Sequence, residues 1–273
     1  MSYEGRFDLQ YSRSIKKHQI TTNLVSEVRS SDFNGHSHQV TGYADDRFIT
    51  PQMALGYKEN SLPESISQPV RAIGFLGTFF YTYDNRYNLS LTGRSDGASI
   101  YGKENRFGNF WSTGISYNIH NEKWFPASIF NRLRVFGNVG TNSTINDLNA
   151  GTGKPLRKAL YFYSGVYYNH QYAALYSGQG NPKMRWPEQY QTSLGMDISL
   201  LENLINLNAS VYERITAKMI STITVAPSFG FTGNSYFQNL GKSRNRGFEI
   251  LANVRLYQDT QKDFIWLLNV GAV

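Results

Sequence analysis

No cysteine occurs among the 273 residues. That excludes disulfide scaffolds, cysteine-ligated metals and thiol chemistry. Long apolar runs are also missing. FIWLL at 264–268 is among the longest, about five residues where a membrane helix needs roughly 20, so no helix is expected to span a bilayer. Charged residues make up only 17%, and no run of Lys and Arg accompanies the net charge of +7; a nucleic-acid arm is not expected. The start, MSYEGRFDLQYSR, is polar and already alternates, unlike a signal peptide. No Gly-x-Ser-x-Gly elbow is present. NAGTGKPL at 149–156 lacks the first glycine of a phosphate loop and puts Pro155 where Ser or Thr is required. Of the five histidines only His36 and His38 are close, and they read as polar loop residues. No catalytic residue, metal or cofactor is expected.

What is abundant is aromatic and glycine: 19 Tyr, 17 Phe and 24 Gly. This mix favours strands and turns over helices. In QTSLGMDISLLENLINLNASVYER, 191–214, Thr192, Leu194, Met196, Ile198 and Leu200 alternate with Gln191, Ser193, Gly195, Asp197 and Ser199. After a break, Ile205, Leu207, Ala209 and Val211 alternate with Asn206, Asn208, Ser210 and Tyr212. Period two gives a hairpin with one apolar and one polar face, turning at Leu201–Leu204. The pattern recurs around Phe7–Tyr11, Ile20–Val28, 71–83, 86–96, 110–120, 132–140, 247–257 and 263–273, about ten strands of about ten residues each. The segment 71–83 is apolar on both faces, so its register stays open. Prolines 51, 63, 69, 126, 155, 182, 187 and 227 all fall outside these segments, as expected of a residue that cannot donate to a ladder.

Short and long connections alternate. Ser14–Lys17, YDNR, HNEKWFPASIFN, LLENL and YQDTQKD are short or fairly short, whereas 31–69, 141–187 and 216–245 are long. SDGASIYGKENRFG is intermediate. Antiparallel neighbours joined this way collect the short turns at one end and the long loops at the other, the rule of transmembrane β-barrels. Strands of 9–11 residues suit a tilted crossing. The apolar stripe would then face lipid and the polar stripe a lumen, which reconciles a mean hydropathy of −0.43 with a membrane protein. Trp111, Trp124, Tyr117 and Tyr257 are candidates for interfacial girdles, with ordinary packing as the alternative. Arg94, Arg132, Arg134 and Arg255 lie on polar faces, where carboxylates such as Asp197 and Glu249 could meet them. A large soluble β-protein remains the alternative to the barrel on pattern alone.

YTYDNRYNLSLTGRSDGAS (81–99), RFGNFWSTGISYNIHNEKWF (106–125), LRVFGNVGTN (133–142), NPKMRWPEQYQTSLGMDISL (181–200), VYERITAKMI (211–220) and NLGKSRNRGFEI (239–250) follow one another as segments do in SusC/RagA-family TonB-dependent outer-membrane transporters. The chain resembles that family. The positions that carry the likeness are Arg94, Asp96, Gly97, Asn181, Pro182, Trp186, Glu188, Gly195, Asp197, Asn245, Gly247 and Glu249. Departures occur: Ala98 stands for a usual Ser, Pro187 is inserted between Trp186 and Glu188, Trp111 replaces a proline-serine step, and Thr141 precedes Asn142 where Gly is usual.

The resemblance implies an all-β, antiparallel transmembrane β-barrel segment, 1–273 being part of a barrel of about 22 strands, with the plug domain and signal peptide absent from this chain. It further implies TonB-dependent import of oligosaccharides or peptides across the outer membrane. The implied partners are a SusD-like surface lipoprotein, the TonB complex acting through the plug, and outer-membrane lipids; contact with the plug is then the alternative to carboxylate pairing for Arg94, Arg132, Arg134 and Arg255. Alternatives are a complete small barrel, a non-energised channel or adhesin barrel, and a soluble glycan-binding β-sandwich. Within a long loop, Tyr161, Tyr163, Tyr167, Tyr168, Tyr172 and Tyr176 are candidates to stack on sugars or apolar peptide side chains. Packing of strand extensions, or contact with the lid protein, is the alternative for them.

Overall fold

The computed structural model describes residues 2–45, 47, 50–58, 64–126, 129–143, 160–230, 234–259 and 264–272. In chain order the strands are β1 (Ser2–Ile15), β2 (His18–Ser37), β3 (Val40–Tyr43), β4 (Ala54–Tyr57), β5 (Glu64–Tyr83), β6 (Tyr87–Ala98), β7 (Phe107–Asn118) and β8 (Phe130–Asn142). There follow β9 (Leu160–Tyr168), β10 (Gln171–Gly178), β11 (Glu188–Leu200), β12 (Ile205–Ala217), β13 (Ile220–Thr224), β14 (Ser235–Asn239), β15 (Lys242–Asp259) and β16 (Phe264–Ala272). Ten of these form one antiparallel sheet in the order β1-β2-β5-β6-β7-β8-β11-β12-β15-β16. Each strand pairs with its neighbour in this list, so the short turns share one end and the long loops the other. The three remaining pairs, β3–β4, β9–β10 and β13–β14, are separate hairpins inside the long connections.

Turn chemistry sets the short end. Lys16 (φ 53), then Asp84 and Asn85 (φ 52 and 56), then Leu201, Glu202 and Asn203 (φ 51, 54 and 62) carry the left-handed backbone of tight hairpins. Asp84 is fixed there by Lys17 Nζ at 3.0 Å, and that hydrogen bond holds its carboxyl below the usual range. The β11–β12 ladder runs as the alternation requires: Leu194↔Val211, Met196↔Ala209 and Ile198↔Leu207 on one face, Gly195↔Ser210 and Asp197↔Asn208 on the other.

No second layer covers the apolar face among the described residues. Phe7, Leu9, Leu24, Phe75, Leu91, Trp111, Ile115, Leu194, Val211, Phe248 and Val270 are all exposed. The buried apolar set is small: Val25 in the sheet, and a cluster of Ala98, Ile100, Tyr101, Phe110, Met184 and Trp186 at the long-loop end. A sandwich would bury that face against a second sheet. A sheet apolar on one face and hydrogen-bonded from strand to strand between its edges is what the wall of a closed barrel presents to a bilayer. The β1 and β16 strands stand at its two edges, so it is not a closed ten-stranded barrel.

Two expectations need correction. Residues 31–69 are not one long loop: β2 runs to Ser37 and β5 starts at Glu64, each 20 residues long. At about 3.3 Å per residue such a strand reaches roughly 65 Å, about twice the hydrocarbon core. Above the membrane both faces meet water, so the apolar alternation that marks a strand in sequence is lost there. Pro69 consequently lies inside β5, opposite Asp32. The β5–β6 pairing starts only at Ala72↔Ala98, so at Pro69 one flank of β5 has no ladder to interrupt.

Aromatics mark the short-turn end of the apolar face. His18, Tyr83, Tyr87 and Tyr117 lie opposite one another across β2, β5, β6 and β7. Their ring centroids follow at 5.0, 6.4 and 4.9 Å, with Tyr87 and Tyr117 nearly parallel at 3°. Tyr257 sits opposite Trp266 next to another short turn, and Trp124 is exposed in the 119–129 connection. Trp111 lies nearer the long-loop end of β7.

Candidate functional site: the polar face and the long-loop end

Three charged or polar groups meet on the polar face near the short-turn end. Asp197 lies directly opposite Arg134 on β8 and Asn208 on β12. Its Oδ2 accepts from Arg134 at 2.7 and 2.8 Å, and its Oδ1 accepts from Asn208 Nδ2 at 2.5 Å. Arg132 approaches at 3.9 Å. Beside this group, Arg134 covers the ring of Phe136 at 5.0 Å.

A second network crosses β1, β2, β5 and β6. Arg6 pairs with Asp8 at 2.6 Å and Glu27 at 3.4 Å; Arg94 pairs with Asp96 at 2.6 Å and Glu27 at 3.5 Å. Gly74 sits between Glu27 and Asp96 in register. A Cβ there would stand 2.7 Å from Asp96 Oδ1, so the missing side chain is what lets the carboxylates and Arg94 share the space. Arg255 donates to the Glu202 carbonyl at 3.0 Å. Arg94, Arg132 and Arg134 meet carboxylates as expected of polar-face arginines.

Between the two networks the polar face forms a recess of about 770 Å³, lined by Ser90, Thr92, Ser112, Asn138, Gln191 and Ser193 among others. Its neutral hydroxyls and amides suit hydrogen bonding to carbonyl, amide or sugar hydroxyl groups. The Trp186 side chain closes it at the long-loop end.

Several residues singled out in sequence turn out to tie the long loops together. The Trp186 indole donates to the Arg106 carbonyl at 3.1 Å and packs on Tyr101 at 4.3 Å and Phe110 at 5.8 Å between centroids. Asn181 donates to the Phe237 carbonyl at 3.1 Å and accepts from Lys183 N. The Pro182 carbonyl fills the space that a side chain at Gly102 would need. Asn239 spans Arg185 and Lys218 with its amide, and Glu188 pairs with Lys218. Connections 99–106, 143–187 and 218–241 are thus joined around one small core. Burial pushes the Tyr101 hydroxyl up to about 12.

The three motif glycines share one role. Gly97, Gly195 and Gly247 lie opposite Phe107, Phe136 and Tyr212, and each of those rings lies within 3.0 Å of where a Cβ would be. Asn245 and Glu249 share the polar stripe of Gly247, opposite Arg214 and Ser210. Glu27, Gly74, Tyr101, Met184, Lys218 and Asn239 were not singled out in sequence. The inward parity of Glu27 among the polar positions of β2 was the available signal for the first; the others depend on contacts between distant segments. Tyr161↔Tyr176 and Tyr167↔Tyr172 are paired in the β9–β10 hairpin, with Tyr163 and Tyr168 opposite Ala174 and Gln171. The segment is thus a hairpin within its loop. Tyr176 is half-buried; the side chains of Tyr161, Tyr163, Tyr167, Tyr168 and Tyr172 lie outside the described set.

A family model described as TonB dependent receptor-like, beta-barrel matches residues 2–273. The chain belongs to that family. It is thereby a protein of the bacterial outer membrane, and its ten-stranded sheet is barrel wall. TonB-dependent receptor P3 of Formosa agariphila is 24% identical over 267 residues, covering 90% of this chain and 26% of that protein. TonB-dependent receptor SusC of Bacteroides thetaiotaomicron is 24% identical over 206 residues, covering 72% and 20%. The RagAB peptide importer in its closed-closed state superposes with a TM-score of 0.80 at 24% identity, over 95% of this chain and 28% of that one. The outer membrane transporter YddB from Escherichia coli shares the fold at 10% identity, with a TM-score of 0.60. The chain spans about a quarter of the length of the curated relatives it matches first.

Proposed function

We propose that the protein imports large nutrients, oligosaccharides or peptides, through the outer membrane in a TonB-dependent manner, with this chain as part of the barrel wall. A SusD-like surface lipoprotein is the proposed lid, and the TonB complex the energy source, acting through a plug domain. The observation that carries the reading is the family match across residues 2–273 on a sheet with an apolar lipid face and a hydrogen-bonding polar face. The recess by Ser112 and Asn138 and the Asp197 and Arg94 networks are proposed as the lumen surface that a plug or passing cargo meets. The tyrosines of β9–β10 are proposed as ligand contacts at the loop end.

Uptake by cells carrying the full-length gene tests this. Growth on glycan or peptide mixtures should depend on the gene and on an intact TonB system, and a surface lipoprotein should co-purify with the barrel. Uptake that survives loss of TonB would make the protein a passive channel instead. Replacing the tyrosines by alanine should weaken uptake; unchanged uptake and ligand affinity across the set would remove them from the site.

A further inference from the structure

Charge is unevenly shared among the long connections. Connections 99–106, 143–187 and 218–241 carry eight Lys and Arg against two acidic residues, a net +6 where the whole chain has +7. Residues 38–63, the remaining long connection, carry two Lys or Arg against three acidic residues. The excess therefore belongs to the three connections that meet around Trp186, at the end that is extracellular in a barrel.

Backbone contacts bring four of these cations together. Gly102 N donates to the Met184 carbonyl at 3.3 Å, and Asn105 Nδ2 to the Lys183 carbonyl at 3.3 Å, so the chain at Lys103 runs next to the chain at Lys183. The Trp186 indole on the Arg106 carbonyl does the same for Arg106 and Arg185. Burial alternates along 183–186: Met184 and Trp186 enter the core, while Lys183 and Arg185 stay exposed, as do Lys103 and Arg106. None of the four has an ion-pair partner among the described residues. Lys218, by contrast, takes Glu188, and Arg6, Arg94 and Arg134 on the polar face each meet a carboxylate. Glu104 is the one acidic residue of 99–106. The core beneath is built on Ala98 and Phe110, which share the polar face of β6 and β7 with Arg94 and Asp96. The four cations therefore stand over the polar side of the sheet, at the long-loop end of the recess by Ser112 and Asn138.

We propose that this end of the barrel receives an anionic oligosaccharide, one bearing carboxylate or sulfate groups, whose charges meet Lys103, Arg106, Lys183 and Arg185 before its hydroxyls reach the recess. Cations of one sign gathered at the rim of a cleft raise the local concentration of anions, and guanidinium forks match carboxylate oxygens. Tied down by the core and its hydrogen bonds, the two segments hold the four positions in place, so little order has to be gained on binding. A saccharide fits what lies below: Ser90, Thr92, Ser112, Asn138, Gln191 and Ser193 offer hydroxyl and amide partners for sugar hydroxyls. This rests on the oligosaccharide import proposed above and narrows the cargo to acidic oligosaccharides.

The test is equilibrium binding to the purified full-length protein in detergent, with three probes: an oligogalacturonate, its fully methyl-esterified form of the same length, and an oligoglutamate of equal charge. The oligogalacturonate should bind about tenfold more tightly than its ester, a preference that fades as salt is raised. Lys103→Gln with Lys183→Gln should lower that preference by about threefold and leave the ester unaffected. Lys16→Gln with Lys123→Gln, which removes the same charge at the short-turn end, should leave both affinities unchanged. Equal affinity for acid and ester would overturn the proposal. So would an equal loss in the two double variants. Oligoglutamate binding as tightly as oligogalacturonate would overturn it too, and assign the cations to acidic peptides. Binding is read without a TonB complex, so the result stands apart from the uptake test: TonB-independent uptake would end the importer reading and leave a preference for acid over ester in place.

Discussion

Gly195 on β11 lies directly opposite Phe136 on β8, and the Phe136 ring occupies the space a side chain at 195 would take, with Cζ 2.6 Å from where a Cβ would stand. The ring covers the glycine on the polar face and in turn carries the Arg134 guanidinium. Glycine is usually a weak strand residue; here the neighbouring strand's aromatic supplies the missing contact. Gly195→Ala should therefore destabilise the barrel by about 1–3 kcal/mol through overpacking, seen as a lower midpoint in urea-driven unfolding from lipid. Adding Phe136→Ala should relieve part of the loss. The relief is partial because the Ala209 carbonyl also stands 3.0 Å away. Strict additivity of the two substitutions would contradict the pairing.

Asp197 joins three strands through Arg134 and Asn208. Its side chain is largely buried, so truncation strands a cation and an amide with no partner. Asp197→Ala should cost about 1–3 kcal/mol, more than Asp197→Asn, which keeps two polar atoms. Removing Asp8, whose side chain is half exposed, should cost well under that, as surface pairs do. Equilibrium unfolding of the three variants side by side orders them.

Trp186 is the centre of the core beneath the long loops. Trp186→Ala should cost about 3–5 kcal/mol locally while leaving the barrel strands paired. Limited proteolysis should then cut within 99–106, 143–187 or 218–241 at concentrations that spare the parent protein. Hydrogen exchange in β11 and β12 should be unchanged.

The Tyr101 hydroxyl is buried beside Trp186 and has no hydrogen-bond partner among the described residues. Burial raises its pKa to about 12, from near 10 in an unfolded chain. A folded-state pKa above the unfolded value contributes stability that is fully present below about pH 10 and is lost as pH rises toward 12. The loop end should loosen across that window, followed by its hydrogen exchange. Tyr101→Phe should remove this pH dependence and cost little or nothing at neutral pH, since no hydrogen bond is lost.

The membrane-crossing parts of the strands were legible in the sequence because lipid on one face and water on the other enforce period two. That is why the β11–β12 turn at Leu201–Leu204 and its two faces could be read from side-chain alternation alone. Where both faces meet water, as in the upper halves of β2 and β5, that constraint disappears and the strands read as loop. Hairpins β3–β4, β9–β10 and β13–β14 were hidden inside the long connections for the same reason. The motif residues were recognisable by resemblance, but their roles were not. Gly97, Gly195 and Gly247 matter through rings on neighbouring strands, and Asn181 and Trp186 through loops far along the chain, relations that no local pattern encodes.

The central claim is that one face of this sheet meets lipid and the other does not. These residues hold no cysteine, so with any cysteine elsewhere in the full-length protein replaced, single spin labels can be placed at Leu194, Val211, Ser193 and Ser210 in the reconstituted protein. Power-saturation measurements with oxygen and with a water-soluble nickel chelate then report the surroundings of each. Labels at 194 and 211 should collide with oxygen and be shielded from the chelate, whereas labels at 193 and 210 should not show the lipid signature. Chelate access at 194 and 211 matching or exceeding that at 193 and 210 would contradict the account.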